Sequence, residues 1–515
     1  MKNKQRDLHM SQHNVILITV DSLRADHISC LGYSQKTTPY IDSLADDGAL
    51  FTNAFSNGGG SVESFPTIMT STYVLMNPNS NLKNNMLWAK ISEKWLTLAE
   101  LLKKNDYNTV AFVNQKIDLS SVFGYNRGFD IFKEFENNIQ GLKGKLYRKI
   151  NTLIGNKFVR ADVINYEVIQ WIKKARSPFF LWIHFMDVHS PPNPKNISFL
   201  NRIRAFRTIQ KISEGAPSVT KKEIRRILHL YDQEIKYLDE QIHMLVSQLT
   251  SFGIGRENTY FILLSDHGEQ FFEHGEWGHG RLYDYILHVP LIIVGPEIPK
   301  KTLIRQQVSL IDIAPTIADL CKTAKPKTFL GKSLLPLIDK DNKNGGGVVI
   351  SETLLSDYSC RAGEWKYILH FRTQTHELYN LKEDPIEKLN LANQYPQQAS
   401  TFRKILKKHI LNEQKIQKEL NEEYANFLKE KQHILKNYPK RNENFITKVL
   451  GVPIIARKPA DKKPNPIQPY SKLPCARSFT PLEQSSRRFH HKIAQINNKE
   501  PYKNPYKTPK NQNQP

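Results

Sequence analysis

Carboxylate and imidazole side chains follow two apolar runs that lie far apart in the chain. VILITV leads directly into Asp21, and FILLS leads into Asp266 and His267. Two carboxylates suit a hard divalent cation, and one imidazole widens the choice towards manganese or zinc. Each motif alone has a simpler explanation, because an aspartate after a strand is commonly a helix cap and a single histidine is more often structural. The two runs form a metal site only in a fold that brings their ends together.

A serine-containing stretch offers a candidate nucleophile. Residues 56–71 read SNGGGSVESFPTIMTS, with a glycine run before Ser61 and a proline after Ser64. One interpretation is a turn followed by a helix, with a serine cap and Pro66 at the first helical position. The other is a nucleophile at a helix N-terminus, where backbone N–H groups can receive an anion. Residues elsewhere in the chain must decide between them.

Strand and helix patterns alternate through the first two thirds of the chain. Apolar runs typical of buried strands are NVILITV, YNTVAFV, SPFFLWIHFM, NTYFILLSD and VPLIIVGP, and helix patterns are TPYIDSLADDGALF and DQEIKYLDEQIHMLVSQL. Strands that are apolar on both faces and alternate with helices predict an α/β fold, with a mostly parallel central sheet covered by helices on both faces. Sites in such sheets form at the carboxyl ends of the strands. The third run ends in LWIHFMDVHSPP, which adds His184, Asp187 and His189 to the candidate residues.

The pattern changes after about residue 345. VVISETLL, EWKYILHF and HELYNL predict short strands of a smaller antiparallel subdomain, and EDPIEKLNLA predicts a helix. We therefore divide the chain into a catalytic α/β domain (1–345), a small C-terminal α+β subdomain (346–396), a charged helical extension (397–438) and a basic tail (439–515). From Asn437 onwards there are 16 Lys and Arg against 4 Asp and Glu. Such a segment cannot bury enough apolar surface to order itself, so we expect disorder, either as a solvated tail or as an arm for an anionic partner.

Composition limits the class of protein and its location. The 515 residues carry a formal net charge of +23, and four scattered cysteines show no metal-like or paired spacing. No run of 18 or more apolar residues occurs, so we expect no transmembrane segment. The first residues lack the apolar core of a secretory signal, which favours a cytoplasmic location.

Several motifs together resemble the sulfatase family of the alkaline phosphatase superfamily. The resemblance covers roughly Asn14 to Ala392 and lies in VDSLRADHISCLGY, the Ser-Phe-Pro-Thr segment, FGYNRGFD, FLWIHFMDVHSPP, SDHGEQFFEHGEWGHG, VPLIIVGP, DIAPTIADL and GEWKYILH. The order and spacing of these motifs agree with the family throughout. The long SDHGE…EHGEWGHG run is the most specific of them.

The resemblance implies roles for individual residues. In the family, strand-end carboxylates and the nucleophile hold a divalent metal ion, which is calcium by resemblance, with manganese or zinc as alternatives. Matching positions make Asp21, Ser64, Asp266 and His267 the metal ligands and Ser64 the nucleophile, with Ser61 out of register. His189 matches a histidine near the leaving oxygen, and His279 stands where many members have a lysine. A metal lowers the pKa of the nucleophile, and an imidazole can protonate the departing oxygen.

The chain also departs from the family pattern. Sulfatases convert the signature cysteine or serine to formylglycine, and the conversion signal includes an arginine that Ile68 replaces here. We therefore expect Ser64 to remain an ordinary serine. Ser22 occupies the place of a second acid and leaves fewer carboxylates around the ion. The main hypothesis is a metal-dependent hydrolase of sulfate esters; the alternatives are a phosphodiesterase or phosphotransferase of the superfamily, or a degenerate binding protein.

A basic segment suggests the kind of substrate. Between Lys195 and Arg226 there are nine Lys and Arg against Glu214 and Glu223. This segment follows a strand end of the predicted site, so it either lines the entrance or is a surface helix with basic decoration. In the first case it favours an anionic ester substrate such as a sulfated or phosphorylated glycan.

Overall fold

The computed structural model of the protein describes residues 12–77, 79–81, 87–114, 118–135, 158–189, 204, 207–208, 211, 219–339 and 347–437. All of these lie in one compact unit, Met1–Ile454. Among them, no helix is long and apolar enough to cross a membrane. The predicted basic tail 439–515 and much of the basic segment between residues 195 and 226 lie outside the described residues. The domain boundaries taken from composition remain predictions.

The strands and helices alternate along the chain. The strands are β1 (Asn14–Val20), β2 (Ala49–Phe55), β3 (Asn79–Asn81), β4 (Leu87–Ala89), β5 (Asn108–Val113), β6 (Ile131–Glu134), β7 (Phe179–Phe185), β8 (Thr259–Ser265), β9 (Gln270–Phe271), β10 (Trp277–Gly278), β11 (His288–Val294), β12 (Thr302–Ile304), β13 (Val308–Ser309), β14 (Val349–Glu352), β15 (Asp357–Ala362), β16 (Trp365–His370) and β17 (Thr375–Asn380). The helices with described bounds are α1 (Pro39–Asp46), α2 (Ser61–Thr70), α3 (Leu98–Lys103), α4 (Ala161–Ile172), α5 (Lys221–Ser251), α6 (Asp284–Leu287), α7 (Ile313–Leu320), α8 (Leu335–Ile338) and α9 (Pro396–Asn437).

A nine-stranded sheet forms the centre of the fold. Eight strands follow the order β12–β2–β11–β8–β1–β7–β5–β6, and β13 also pairs with β2. Neighbouring strands are parallel except at β11, which runs antiparallel to both β2 and β8. The prediction of a mostly parallel sheet is confirmed.

The register of the central strands sets the position of the site. β1 lies between β7 and β8, and all seven of its residues are buried. Val20 is opposite Phe185 on one side and Ser265 on the other. Because parallel strands end at the same edge, the residues that follow β1, β7 and β8 leave the sheet side by side.

Helices cover both faces of this sheet, as predicted. Apolar residues of α1, α4 and α5 pack on one face, and those of α2, α3 and α7 pack on the other. The long helix extends further than the apolar periodicity suggested, because Thr220 and Glu223 form a capping box that begins it at Lys221. The helix predicted for TPYIDSLADDGALF is shorter than the pattern indicated. The helix ends at Asp46, and the last apolar residues open β2.

A second sheet forms the C-terminal part of the described chain. It has the order β14–β15–β16–β17 and is antiparallel throughout, as predicted. Apolar residues of α9 pack against it. The helix predicted for EDPIEKLNLA is wrong: the segment is irregular, since the Asp384 carboxylate accepts from the amides of Lys388 and Leu389. Such local side-chain bonds compete with helical ones.

Candidate active site and metal centre

Two carboxylates meet where β1 and β8 end. The Asp21 amide donates to the Phe185 carbonyl at 2.9 Å, and the Asp266 amide donates to the Val20 carbonyl at 3.3 Å. Both aspartates are fully buried. The parallel pairing of the two strands therefore brings the two predicted acids to one point.

The hydroxyl of Ser61 lies between these carboxylates. Its Oγ is 2.8 Å from Asp21 Oδ2, 2.8 Å from Asp266 Oδ2 and 3.3 Å from His267 Nε2. Ser61 is the first residue of α2, with Gly60 as the N-cap. The partial positive charge of a helix N-terminus favours an anion at this position. Ser61 thus has a proton acceptor beside it and a favourable environment for the resulting charge.

Ser64, predicted as nucleophile and metal ligand, makes none of the contacts to the carboxylates that Ser61 makes. The Ser64 amide donates to the Gly60 carbonyl at 3.0 Å, which places Ser64 within the first turn of α2. Its Oγ is buried and makes no hydrogen bond to any described residue. The choice of Ser64 rested on matching Pro66 to the proline of the family's nucleophile signature, and Pro66 lies inside α2. The serine that touches the carboxylates is Ser61.

Placing Ser61 at the nucleophile position also changes how the chain aligns with the family's nucleophile signature, Cys-x-Pro-Ser-Arg. With Ser61 on the cysteine, Glu63 falls on the proline, Ser64 on the serine and Phe65 on the arginine. The arginine is therefore replaced in this register too, by Phe65 instead of Ile68. Phe65 is fully buried and packs edge-on against the His184 ring, with 4.9 Å between ring centroids.

His267 presents one ring nitrogen to the carboxylates. Its Nδ1 lies 2.7 Å from the Gly268 carbonyl oxygen, so the neutral ring carries its proton there. This leaves Nε2 as a lone-pair donor. Asp21, Asp266 and His267 offer ligand atoms that all lie within 4.8 Å of one another. Two carboxylate oxygens and an oriented imidazole nitrogen fit a divalent cation.

The charges of the two aspartates also favour a cation. Burial and the charge of Asp21 raise the pKa of the Asp266 carboxyl well above its ordinary value. Burial acts in the same direction on Asp21, but nearby imidazoles, His189 first among them, outweigh it and hold the pKa of Asp21 low. Two buried carboxylates this close repel each other, and a dication between them removes that cost.

Ser22 orients Asp21 and Asp266. Its Oγ donates to Asp21 Oδ1 at 2.6 Å, and its amide donates to Asp266 Oδ1 at 3.3 Å. The backbone of Ser22 is in the left-handed region, with φ 59°. Ser22 therefore supports the carboxylates through hydrogen bonds, in a place where the family has an acid.

His189 and His279 border the same carboxylates. His189 Nε2 is 4.0 Å from Asp21 Oδ1, and its Nδ1 makes no hydrogen bond to any described residue. The ring of His279 lies 4.7 Å from that of His267 and 5.6 Å from that of His189, measured between centroids. Their side chains are 21% and 34% exposed, whereas the ligand set is buried, so these two histidines line its opening.

Glu269 belongs to the site and was missed by the sequence analysis. It is fully buried, and its Oε1 lies 3.4 Å from His279 Nδ1. Burial alone would lower the pKa of His279, but the Glu269 carboxylate outweighs it and raises that pKa to about 10. The available signal was the glutamate of SDHGE, three residues after Asp266.

His184 borders Asp21 as well, with 4.0 Å between its Nε2 and Asp21 Oδ2, whereas Asp187 contacts residues at the start of α4. His184 Nδ1 lies 2.9 Å from Thr19 Oγ1, and burial lowers the His184 pKa to about 4. Asp187 Oδ1 is 3.2 Å from Arg160 Nε, and it accepts from the Ala161 amide at the same distance. The His184 contact joins β7 to β1, and the Asp187 contacts fix the segment after β7 against the start of α4.

The glycine run before Ser61 permits a close approach of two loops. The Gly280 amide donates to the Gly59 carbonyl at 2.7 Å. A Cβ at Gly59 would lie 2.7 Å from the Arg281 carbonyl oxygen, which is closer than side-chain carbons come. The loop that carries Ser61 and the loop that carries His279 therefore touch through backbone atoms.

Known proteins share this sequence and fold. The family profile described as Sulfatase matches residues 13–323, and that of the C-terminal part of N-sulphoglucosamine sulphohydrolase matches residues 272–417. Arylsulfatase K of Gallus gallus is 25% identical over 484 residues, covering 84% of this chain and 88% of the relative.

Solved structures agree on the fold. Phosphonate monoester hydrolase of Agrobacterium radiobacter superimposes with a TM-score of 0.63 at 18% identity, covering 78% of this chain and 96% of that one. A 2-O GAG sulfatase superimposes with a TM-score of 0.61 at 22% identity, covering 80% and 94%. The family profile alone spans more than half of the chain. The chain therefore belongs to the sulfatase family of sulfuric ester hydrolases.

Proposed function

We propose that the protein hydrolyses sulfate esters with Ser61 as an unmodified nucleophile and a divalent cation bound by Asp21, Asp266 and His267. The observation that supports this most is the Ser61 Oγ, which lies 2.8 Å from one oxygen of each aspartate at the start of α2. A bound cation would lower the pKa of the attacking hydroxyl and offset charge on the transferring group. Calcium, manganese and zinc are the candidate ions.

The chain's own residues account for the proton and bond changes. The Ser61 hydroxyl gives its proton to one of the two carboxylates, and Oγ attacks the ester sulfur. The bond between sulfur and the ester oxygen breaks, and that oxygen takes a proton from His189 or His279. Water then gives one proton to the histidine and attacks the sulfur of the Ser61 sulfate ester; the bond between sulfur and Oγ breaks, Oγ takes back the proton held by the carboxylate, and hydrogen sulfate leaves.

For the substrate we propose a sulfated glycan. The structural neighbours include a 2-O GAG sulfatase and a protein in complex with D-glucosamine-2-N,6-O-disulfate. Nine Lys and Arg between residues 195 and 226 follow His189 in the sequence, and a basic segment of this kind favours a polyanionic substrate.

Two serines on one helix provide a matched test of the nucleophile. Turnover of an aryl sulfate, a phosphodiester and a phosphate monoester is measured with added calcium, manganese or zinc, for wild type, Ser61→Ala and Ser64→Ala. We expect Ser61→Ala to lower kcat at least about 10³-fold and Ser64→Ala to change it only a few-fold.

The opposite order of effects would return the nucleophile to Ser64. A wild-type protein that binds metal but prefers either phosphate ester would favour the phosphodiesterase or phosphotransferase alternative. A folded wild-type protein that binds no metal and turns over none of the substrates would favour the binding-protein alternative.

A further inference from the structure

A second group of potential metal ligands lies away from the site described above. Glu352, at the end of β14, meets His409 and Glu413 on α9. The side chains of Glu352, His409 and Glu413 are 0%, 8% and 3% exposed, and their ligand atoms all lie within 4.8 Å of one another. His409 and Glu413 are four residues apart on a helix, so both project from the same face.

One nitrogen of His409 faces both carboxylates. His409 Nε2 lies 3.0 Å from Glu352 Oε2 and 3.1 Å from Glu413 Oε1. A protonated nitrogen has a single hydrogen to give, so it cannot make two good hydrogen bonds. Neither oxygen of Glu413 accepts a well-formed hydrogen bond from any described residue. A buried carboxylate in that condition costs free energy unless another group compensates it.

His370 shows the arrangement that a proton does satisfy. It also lies between two carboxylates, but Nδ1 is 3.1 Å from Asp357 and Nε2 is 3.2 Å from Glu377. Each ring nitrogen therefore has one acceptor, and the charged ring fulfils both bonds. At His409 both carboxylates face the same nitrogen, so the two oxygens and the nitrogen converge on one point, as the ligands of a metal ion do.

The distances and charges at His409 suit a dication. Tetrahedral ligands at about 2.0–2.2 Å from zinc stand roughly 3.3–3.5 Å apart, so only a small expansion of the observed separations is needed. Two carboxylates and a neutral imidazole around Zn²⁺ sum to zero charge, so the ion would neutralise the buried group. The Leu75 amide donates to Glu352 Oε1 at 2.8 Å and orients that carboxylate.

We propose that Glu352, His409 and Glu413 bind a zinc ion that fastens α9 to the back of the Ser61 loop. The mixed oxygen and imidazole ligand set favours zinc over calcium. The Glu352 amide donates to the Asn57 carbonyl at 2.9 Å, so the site is joined by backbone to the glycine run. Tyr73 and Tyr358 flank the His409 ring, at 4.5 and 6.2 Å between centroids, and limit access of water. The zinc site does not depend on the proposed function.

The zinc content of the full-length protein tests this proposal. Each protein is incubated with zinc chloride in a large excess of calcium, which competes for the carboxylates beside Ser61, then desalted and analysed by mass spectrometry of the metals. Glu413→Gln and His409→Gln remove one ligand each with little change in shape. His370→Gln is the matched control. It also removes a histidine that lies between two carboxylates, but these carboxylates face different ring nitrogens and so do not form a metal site.

We expect wild type and His370→Gln to retain one zinc more per chain than Glu413→Gln and His409→Gln. Added zinc should also raise the Tm of wild type and His370→Gln by more than it raises the Tm of Glu413→Gln and His409→Gln. Equal zinc in all four proteins would overturn the proposal, as would loss of zinc after incubation with calcium. If neither ligand variant folds, wild type alone decides, since less than one zinc per chain in excess calcium contradicts the site.

Discussion

Replacing Gly59 by alanine should separate the two loops that carry Ser61 and His279. The new Cβ would meet the Arg281 carbonyl oxygen at 2.7 Å, whereas ordinary contacts begin near 3.4 Å, so the loops must move apart by about 0.7 Å. The hydrogen bond from the Gly280 amide to the Gly59 carbonyl would lengthen by a similar amount. A misplacement approaching 1 Å can lower the rate by about 10–100-fold, and overpacking costs about 1–3 kcal/mol of stability.

The assay is kcat/KM for an aryl sulfate together with the Tm of each protein. Gly347→Ala is the control, because a Cβ at that position meets no atom of the described residues within 4 Å and requires no unusual backbone. We expect Gly59→Ala to lose at least about tenfold in kcat/KM while Gly347→Ala stays at the wild-type value. A Gly59→Ala protein with wild-type kcat/KM would refute the idea that loop contact sets the geometry of the site.

Three further outcomes follow from buried or bridging groups. Hydrogen bonds to Asp357 and Glu377 raise the pKa of His370 to about 9. The contribution of these bonds to the free energy of unfolding should therefore be complete below the pKa of an unfolded histidine, near 6.5, and should disappear as pH rises past 9. Because solvent screens these partly exposed groups, the contribution should be about 1–2 kcal/mol. It is measured as the difference in free energy of unfolding between wild type and His370→Gln, from urea denaturation at several pH values. A difference that does not change with pH would contradict the raised pKa of His370. Lys366→Met should lower the free energy of unfolding by about 3–5 kcal/mol, because it leaves the buried Glu387 carboxylate without a cation while Asp284 keeps only Arg361, and a loss under 1 kcal/mol would show that the network relaxes. The peptide that contains Ser61 should have the mass of unmodified serine, and a loss of two hydrogens in most of the material would indicate formylglycine.

Periodicity predicted the framework of the fold because burial determines it. β1, β7 and β8 are apolar on both faces, and the sheet that this implies brings Asp21 and Asp266 together. The direction of a strand cannot be predicted in this way, because β11 is as apolar as β1, β7 and β8 and yet runs antiparallel to its neighbours. β15 was missed because DYSCRA contains small polar residues and has no apolar alternation.

The choice between Ser61 and Ser64 could not be made from local sequence. Both follow the glycine run, and matching Pro66 to the proline of the family's signature favoured Ser64. Ser61 is selected by tertiary contacts with two strand ends, which a linear pattern does not contain. The partnership of Glu269 with His279 depends likewise on the fold of the intervening loop.

The link between the Ser61 loop and the C-terminal sheet has a consequence for synthesis of the protein. Asn57 Nδ2 donates to the Ile350 carbonyl at 2.8 Å, across 293 residues of sequence. At about 5–20 residues per second, a ribosome needs roughly 15–60 s to make the intervening chain. During that interval the Ser61 loop lacks the C-terminal sheet that it contacts, and until β8 has been made β1 also lacks one of its two neighbouring strands, so its apolar residues are exposed to aggregation and to chaperones. The Ser61 loop of a nascent chain therefore lacks its contacts with β14 until that strand has emerged and docked.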